Sequence, residues 1–141
     1  MPNGEGGDVR GVIAIVLVVA AMLCLLGCGL LSNAVSGTIT YDGDPVIPDG
    51  AVVTVQVRDV SYQDAASTLI ASQSIENPGR FPIDFSVPYE PDDIDSRAIY
   101  GLQISIRQGD SLIFVNDTAF DVLTRGNPKR GVDVWVVAVG R

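Results

Sequence analysis

The residue with the most definite chemistry in this sequence is Cys28, which closes the stretch Leu25-Leu26-Gly27-Cys28. This stretch lies near the end of an uncharged run, Gly11–Leu31. A cysteine thiol is a strong nucleophile once it is ionised, and here a small residue precedes it. The other cysteine, Cys24, fits this pattern less well because Leu23 stands before it. Cys28 is therefore the better candidate of the two cysteines.

The run around Cys28 resembles a bacterial lipoprotein signal. In such signals the cysteine sulfur takes a diacylglycerol, and cleavage leaves that cysteine as the new N-terminus. The resemblance implies a lipidated Cys28 and a protein held at a membrane of the cell envelope, outside the cytoplasm. We therefore assign residues 1–27 to a signal peptide or membrane anchor, 28–34 to a tether and 35–141 to one folded domain.

Two features of the leader keep other interpretations open. Arg10 is the one basic residue before the apolar run, and Glu5 and Asp8 accompany it, whereas secretory signals start with a clearly basic region. The segment Val12–Leu31 contains 20 residues, and a helix of that length is about 30 Å long, enough to span a bilayer uncleaved. An uncleaved transmembrane helix and a released protein are therefore alternatives to the lipoprotein.

Composition limits both the domain and its partners. About 110 residues follow Cys28, which is enough chain for one hydrophobic core. Both cysteines lie in the leader, so the domain has no disulfide. The residues from Cys28 onward carry 15 acids against 8 bases, a net charge of −7. Nucleic acid attracts clustered Lys and Arg, and we therefore do not expect it as a partner.

The sequence lacks the residue sets of common catalytic sites. It contains no histidine, which excludes His-dependent triads and His-ligated zinc. No serine lies in Gly-x-Ser-x-Gly or Ser-x-x-Lys, and Lys129 is the one lysine. A pair of catalytic carboxylates would need a cleft, whereas the acids here are confined to predicted turns. We therefore expect a protein that is not an enzyme and that holds no cofactor or metal.

The densest acidic cluster consists of Glu90, Asp92, Asp93 and Asp95. Four carboxylates suggest calcium, but this segment lacks the alternating Asp-x-Asp-x-Asn-Gly pattern that wraps the ion. We expect a solvated turn in which Asp95 pairs with Arg97.

The triplet Asn116-Asp117-Thr118 matches the acceptor sequence for N-glycosylation. A bacterial lipoprotein context argues against that modification, and as a catalytic or ligand site the triplet lacks a base. We expect the Asn and Asp side chains to cap the backbone where a strand breaks and restarts.

The elements that position these residues are predicted to be strands, because apolar residues alternate with polar ones from Val35 onward. The strongest segments are 51–58, 81–87 and 98–107, and the weaker ones are Val35–Tyr41, Thr68–Ile75, Leu112–Asn116, Phe120–Thr124 and Val132–Val139. Gly109-Asp110 predicts a tight hairpin, and Pro48 and Pro82 predict strand starts or edge strands. Seven or eight short strands without a core helix predict an antiparallel β-sandwich.

The last predicted strand is apolar on both faces. Val132, Val134, Val136 and Ala138 form one face, while Trp135, Val137 and Val139 nearly form a second. Such a strand is either central and covered or exposes an apolar patch. We take Trp135, Val137 and Val139 as candidate partner-binding residues, with a core Trp135 as the alternative, and expect Trp135 to be partly buried.

Three stretches of the domain together resemble a known family. They are Val35–Tyr41, Pro48–Val57, and Pro88–Tyr100 followed by Phe114–Thr118. They resemble the YbaY-like lipoproteins, which are grouped with the YscW-type lipoprotein chaperones of type III secretion, and the resemblance extends over nearly all of Val35–Val139. It implies a β-sandwich on a lipoprotein anchor without catalytic residues. For the YscW branch it implies a pilotin, a protein that helps to localise or assemble a secretin ring in the outer membrane.

These observations predict a membrane-anchored envelope lipoprotein that is a non-enzymatic accessory or chaperone. The membrane holds its N-terminal lipid or helix, and its partner is another envelope protein. The alternative is a small envelope module that binds a sugar or peptide. That alternative requires a concave site with polar and aromatic residues.

The lipoprotein interpretation predicts the outcome of replacing Cys28 with Ser. Diacylglyceryl transfer requires the thiol, so the C28S chain should stay an unlipidated, unprocessed precursor. Metabolic labelling with a radioactive fatty acid and gel mobility measure both effects, and Cys24→Ser is the matched control. Normal processing and localisation of C28S would contradict the lipoprotein and favour the transmembrane or released form.

Overall fold

A computed structural model describes residues 33–140 of the chain. They form nine β-strands and one short 3₁₀ turn, Pro91–Asp93. The strands are β1 Ala34–Thr40, β2 Ala51–Asp59, β3 Thr68–Glu76, β4 Ile83–Pro88, β5 Tyr100–Gln108, β6 Ser111–Val115, β7 Asp121–Val122, β8 Val132–Trp135 and β9 Val137–Ala138. Within residues 33–140 no helix is long and apolar enough to cross a membrane. The predicted leader, with Cys28, lies outside the described residues.

The strands form two sheets. The small sheet has the order β4-β1-β8, and the large sheet has the order β3-β2-β5-β6-β9, with β7 also paired to β5. Every pair is antiparallel except β1 with β8, which is parallel. The prediction of an all-β fold of short strands is confirmed. The prediction of purely antiparallel pairing is wrong at this one pair.

One hydrophobic core lies between the inner faces of the two sheets. In the large sheet, Val55 of β2 lies opposite Ile104 of β5, and both are fully buried. Their chain neighbours Gln56 and Ser105 are partly exposed. The period-two prediction of the inward faces is therefore confirmed, because each strand buries alternate residues.

Two predicted turn positions are also confirmed. Gly109-Asp110 connects β5 to β6 as a two-residue hairpin, and Gly109 has a φ of +58°, a left-handed conformation that glycine adopts without strain. Pro82 directly precedes β4, which is an edge strand of the small sheet. At Pro48 the prediction is wrong, because this residue lies in the turn before β2, where the Ala51 amide donates to the Pro48 carbonyl at 3.2 Å, and β2 is an inner strand of the large sheet.

The predicted strand Val132–Val139 is two strands in two sheets. The Val136 amide donates to the Thr40 carbonyl at 2.9 Å, at the end of β1, whereas the Val139 amide donates to the Ile113 carbonyl at 2.9 Å, beside β6. The chain therefore crosses from the small sheet to the large sheet at Val136. Val132, Val134 and Val136 stay in the core, while the residues between and after them lie on the outer faces of two different sheets.

The parallel pair β1-β8 depends on Gly37, which lies opposite Val132. A Cβ at position 37 would collide with the Val132 carbonyl oxygen and lie 2.6 Å from the carbonyl carbon and 2.8 Å from the amide nitrogen. Backbone atoms cannot rotate away as a flexible side chain does. The two strands can therefore approach this closely only because residue 37 has no side chain.

Gly37→Ala should therefore lower the free energy of unfolding by about 3 kcal/mol, the upper end of overpacking costs, because β8 must move away from β1. The matched control is Gly101→Ala in β5, where the added Cβ would meet its nearest atom at 3.6 Å. Urea titration of both variants measures the difference. Equal losses at the two positions would contradict the close-approach argument.

Candidate functional site

The three candidate partner-binding residues do not share one face. Trp135 lies on the outer face of the small sheet and is 50% exposed. Val137 and Val139 are 40% and 38% exposed and lie beside Val115 and Ile113 on the outer face of the large sheet. The expectation of a partly buried Trp135 agrees with this position, whereas a single patch formed by all three residues is not what the structure shows.

Val139 lines a shallow apolar groove of about 410 Å³, which we call the apolar edge, and Val137 precedes it by two residues in β9. The groove is lined by Val46, Pro48, Ser111, Leu112, Ile113, Phe114, Ala138, Val139 and Gly140. Strand β9 forms the outer border of the large sheet there, because within residues 33–140 it pairs only with β6. An edge strand with exposed valines is a surface at which another chain can add contacts.

Val46 is the residue of the apolar edge that the sequence analysis missed. It is 90% exposed, while the next residue, Ile47, is buried. Both lie between Pro45 and Pro48 in the connection from β1 to β2. A valine in a proline-bounded loop, outside any alternating segment, is the signal that could have identified it.

The apolar edge lies at the end of the domain opposite Asn33. Strand β1 has 7 residues and spans about 20 Å at roughly 3.3 Å per residue. The Tyr89 amide donates to the Asn33 carbonyl at 3.0 Å at one end, and the Val136 amide donates to Thr40 at the other. The chain enters β9 directly after Val136. The groove and the start of the domain are therefore separated by about the length of β1.

Asn116 completes the large sheet where β6 ends. Its side-chain Oδ1 accepts the Ile104 amide at 2.7 Å, and its Nδ2 donates to the Leu102 carbonyl at 3.0 Å and to the Thr118 carbonyl at 3.2 Å. The Asn116 amide also donates to the Ile104 carbonyl at 3.3 Å. One side chain thus replaces the missing strand beside β5, between β6 and β7. The predicted capping role of Asn116 is confirmed, whereas the one predicted for Asp117 is wrong, because within residues 33–140 its carboxylate accepts from the Thr118 hydroxyl, at 3.2 Å, and not from a backbone amide.

The acidic cluster is a structured turn. Asp92 and Asp93 lie in the 3₁₀ turn, and the buried Tyr100 hydroxyl accepts the Asp95 amide at 2.8 Å. Arg97 donates to both Asp95 carboxylate oxygens, at 3.2 and 3.1 Å, as expected. The Arg97 side-chain hydrogen bond is the main cause that lowers the pKa of Asp95. In residues 33–140 no three His, Cys, Asp or Glu side chains are placed to hold a metal ion.

Two serines that could be considered nucleophiles form hydrogen bonds with nearby residues. Ser61 donates to the Asp59 carboxylate at 2.6 Å and accepts the Ile99 amide at 2.9 Å. Ser67 accepts from Arg58 Nε at 2.7 Å. These bonds fix the loop between β2 and β3 onto β5 and the end of β2. Each serine therefore has a structural role.

A second groove lies at the Asn33 end, between the acidic turn and the loop after β7. Leu123 there has a φ of +72°, which is strained for a branched side chain. The next residue holds this geometry, because the buried Thr124 hydroxyl donates to the Ala98 carbonyl at 2.6 Å and its amide donates to the Val122 carbonyl at 2.8 Å. The strain is explained by this anchoring of the loop.

Two facing sheets with an exposed apolar edge define a small β-sandwich. The family model described as type III secretion system lipoprotein chaperone (YscW) matches residues 31–134. The chain belongs to this YscW family, and the predicted family resemblance is confirmed. The matched span ends directly before Trp135, so the three candidate partner-binding residues follow it.

Two similar proteins support this assignment. The chain is 32% identical over 106 residues to the uncharacterized lipoprotein YbaY of Escherichia coli (strain K12), across 74% of this chain and 55% of that protein. It thus spans about half the length of this curated relative. It is also similar to the solved structure of an alternative pilotin from the type II secretion system of Vibrio cholerae. The TM-score is 0.73 and the identity 30%, and the match covers 78% of this chain and 99% of that chain.

The bonding of Asn116 predicts a loss of stability on its replacement. Asn116→Ala should lower the free energy of unfolding by about 2 to 3 kcal/mol, because the Ile104 amide and the Leu102 carbonyl lose their partners inside the sheet. Asp117→Ala, one residue further at an exposed position, should change it by less than about 0.5 kcal/mol. Urea titrations of both variants test this. A loss at Asn116 no larger than at Asp117 would mean that water replaces the side chain without cost.

Proposed function

We propose that this protein is a membrane-tethered, non-enzymatic accessory protein of the pilotin or secretion-chaperone type. It binds an outer-membrane component of a secretion system, such as a secretin, through the apolar edge. The observation that carries the proposal is the exposure of Val137 and Val139 on a border strand beside an apolar groove, in a chain of the YscW family. Apolar side chains exposed together in this way are typical of protein-binding surfaces.

The position of the tether supports this function. A lipid on Cys28 would be followed by Gly29–Asn33 before β1 begins at Ala34. Five extended residues reach about 17 Å at roughly 3.4 Å each, so the Asn33 end of the domain would stay near the bilayer. The apolar edge lies about the length of β1 beyond that end, where a partner can reach it.

A sugar- or peptide-binding module is the alternative function, and the aromatic residues beside the apolar edge argue against a sugar site there. Tyr41, Phe81 and Phe114 pack on one another with ring centroids 5.2 to 5.6 Å apart. Phe114 is buried in the core. Rings that pack on each other leave no open stacking platform, and the groove beside them is lined mainly by aliphatic residues. The apolar edge therefore suits a protein segment better than a sugar.

Affinity capture of the tagged full-length chain from envelope membranes, followed by mass spectrometry, tests the proposal. The double variant Val137→Ser, Val139→Ser should retain less than about a tenth of the captured secretion-system partner, because interface apolar contacts of this kind contribute 1 to 2 kcal/mol or more. Leu69→Ser is the matched control, since Leu69 is 47% exposed on β3 at the opposite edge of the large sheet.

Two results would decide whether the apolar edge is the binding site. Loss of the same partner with the double variant, but not with Leu69→Ser, supports the apolar edge as the binding site. Equal capture by all three proteins contradicts it. A thermal melt of each variant by circular dichroism, with unchanged midpoints, ensures that lost capture reflects the surface and not the fold.

A further inference from the structure

The outer face of the small sheet combines an exposed aromatic ring with carboxylates. Alternate residues of its three strands face away from the core, and apart from Ala34, Pro88 and Trp135 they carry hydroxyl or carboxylate groups. Asp84 of β4 and Asp133 of β8 both lie opposite Thr38 of the central strand. Thr40 lies opposite Trp135. None of the outward residues of β1, β4 and β8 is a Lys or an Arg.

The hydrogen bonds within this face use its hydroxyl protons and leave acceptor oxygens exposed. The hydroxyls of Thr38 and Thr40 both donate to Asp133 Oδ1, at 3.2 and 2.8 Å. Both hydroxyl protons therefore point to Asp133. The remaining lone pairs of the two hydroxyls and the second Asp133 carboxylate oxygen can accept hydrogen bonds from a ligand. Within residues 33–140, neither Asp84 nor Asp133 forms an ion pair, while Arg80, which precedes β4, pairs with Asp44 at 3.6 Å.

A ligand group that fits this surface donates hydrogen bonds, carries positive charge and packs on the face of an indole ring. A guanidinium or ammonium group meets all three conditions, because it pairs with carboxylates and is attracted to the face of a Trp ring. The two carboxylates lie two strand spacings apart, about 10 Å, which one extended segment with two basic side chains can cover. The net charge of −7 on the residues after the leader attracts such a segment from a distance.

We propose that this face docks a basic segment of a partner protein, with one Arg or Lys side chain over Trp135 and beside Asp133 and another at Asp84. The inference rests on the proposed function for the existence of a protein partner. It concerns the small sheet, whereas the apolar edge belongs to the large sheet. The face adds charge recognition to a partner that the apolar edge holds by hydrophobic contact.

The test uses Trp135 itself as the probe, because it is the one tryptophan of the sequence. The full-length chain in a nonionic detergent is titrated with the peptide (Gly-Arg)4, and Trp135 emission is recorded. We expect a saturable change that weakens as NaCl rises from about 50 to about 300 mM, since salt screens exposed charges. The neutral peptide (Gly-Gln)4 and the neutral sugar maltohexaose should cause none.

Charge-neutral variants locate the site. Asp84→Asn and Asp133→Asn should each weaken (Gly-Arg)4 binding at least fivefold. Asp110→Asn, which removes the same charge in the β5-β6 turn, should leave it within twofold. Trp135→Leu, followed by calorimetry, should weaken binding about tenfold, since leucine keeps apolar bulk but has no π face. The Asp84 carboxylate makes no hydrogen bond within residues 33–140, so Asp84→Asn tests binding even if Asp133→Asn alters the fold.

Three outcomes would overturn the proposal. These are an absent response to (Gly-Arg)4, an equal effect of Asp110→Asn, and a response to maltohexaose or (Gly-Gln)4 as large as that to the basic peptide. The sugar response would assign the face to a polyol ligand. The double variant at Val137 and Val139 should bind (Gly-Arg)4 normally, so a failure of the peptide test is distinguishable from a failure of the apolar edge in partner capture.

Discussion

The close approach of β1 and β8 at Gly37 is the constraint on which the rest of this architecture depends. Parallel pairing brings the C-terminal segment against the central strand of the small sheet, and Gly37 admits the Val132 backbone where any side chain would exclude it. Because β8 runs in the same direction as β1, it ends beside Thr40 and not beside Asn33. The chain leaves the small sheet at that end and immediately joins the large one as β9.

This crossing determines the surface as well as the core. Val132, Val134 and Val136 stay inside throughout, so the core is continuous between the sheets. The intervening residues face outward on whichever sheet the chain has reached, which places Trp135 on one outer face and Val137 on the other. Asn116 keeps the large sheet continuous in a similar way. Its side-chain amide hydrogen-bonds to β5 in the gap between the end of β6 and the start of β7.

The sequence predicts the parts of this fold that depend on alternation within one strand. β2 and β5 were predicted with the correct inward faces because each keeps one face in the core along its whole length, and the cap at Asn116 followed from the known preference of Asn for strand breaks. Alternation cannot report a change of sheet, since the inward positions of β8 and β9 continue in the same period. The segment 132–139 was therefore predicted as one strand. The exposure of Val46 was not predicted either, because it depends on how a loop without periodicity lies against β6 and β9.

The same geometry explains how a small acidic domain can present two different surfaces to one partner. Both the Trp135 face and the apolar edge adjoin Val136, at the end of β1 away from Asn33. An apolar groove holds many partners with little discrimination, whereas carboxylates reject an acidic segment and accept a basic one. If hydrophobic contact contributes most of the affinity, the charged face determines which chain is accepted. The crossing strand brings the two proposed recognition surfaces to the same end of the domain, on the outer faces of the two sheets.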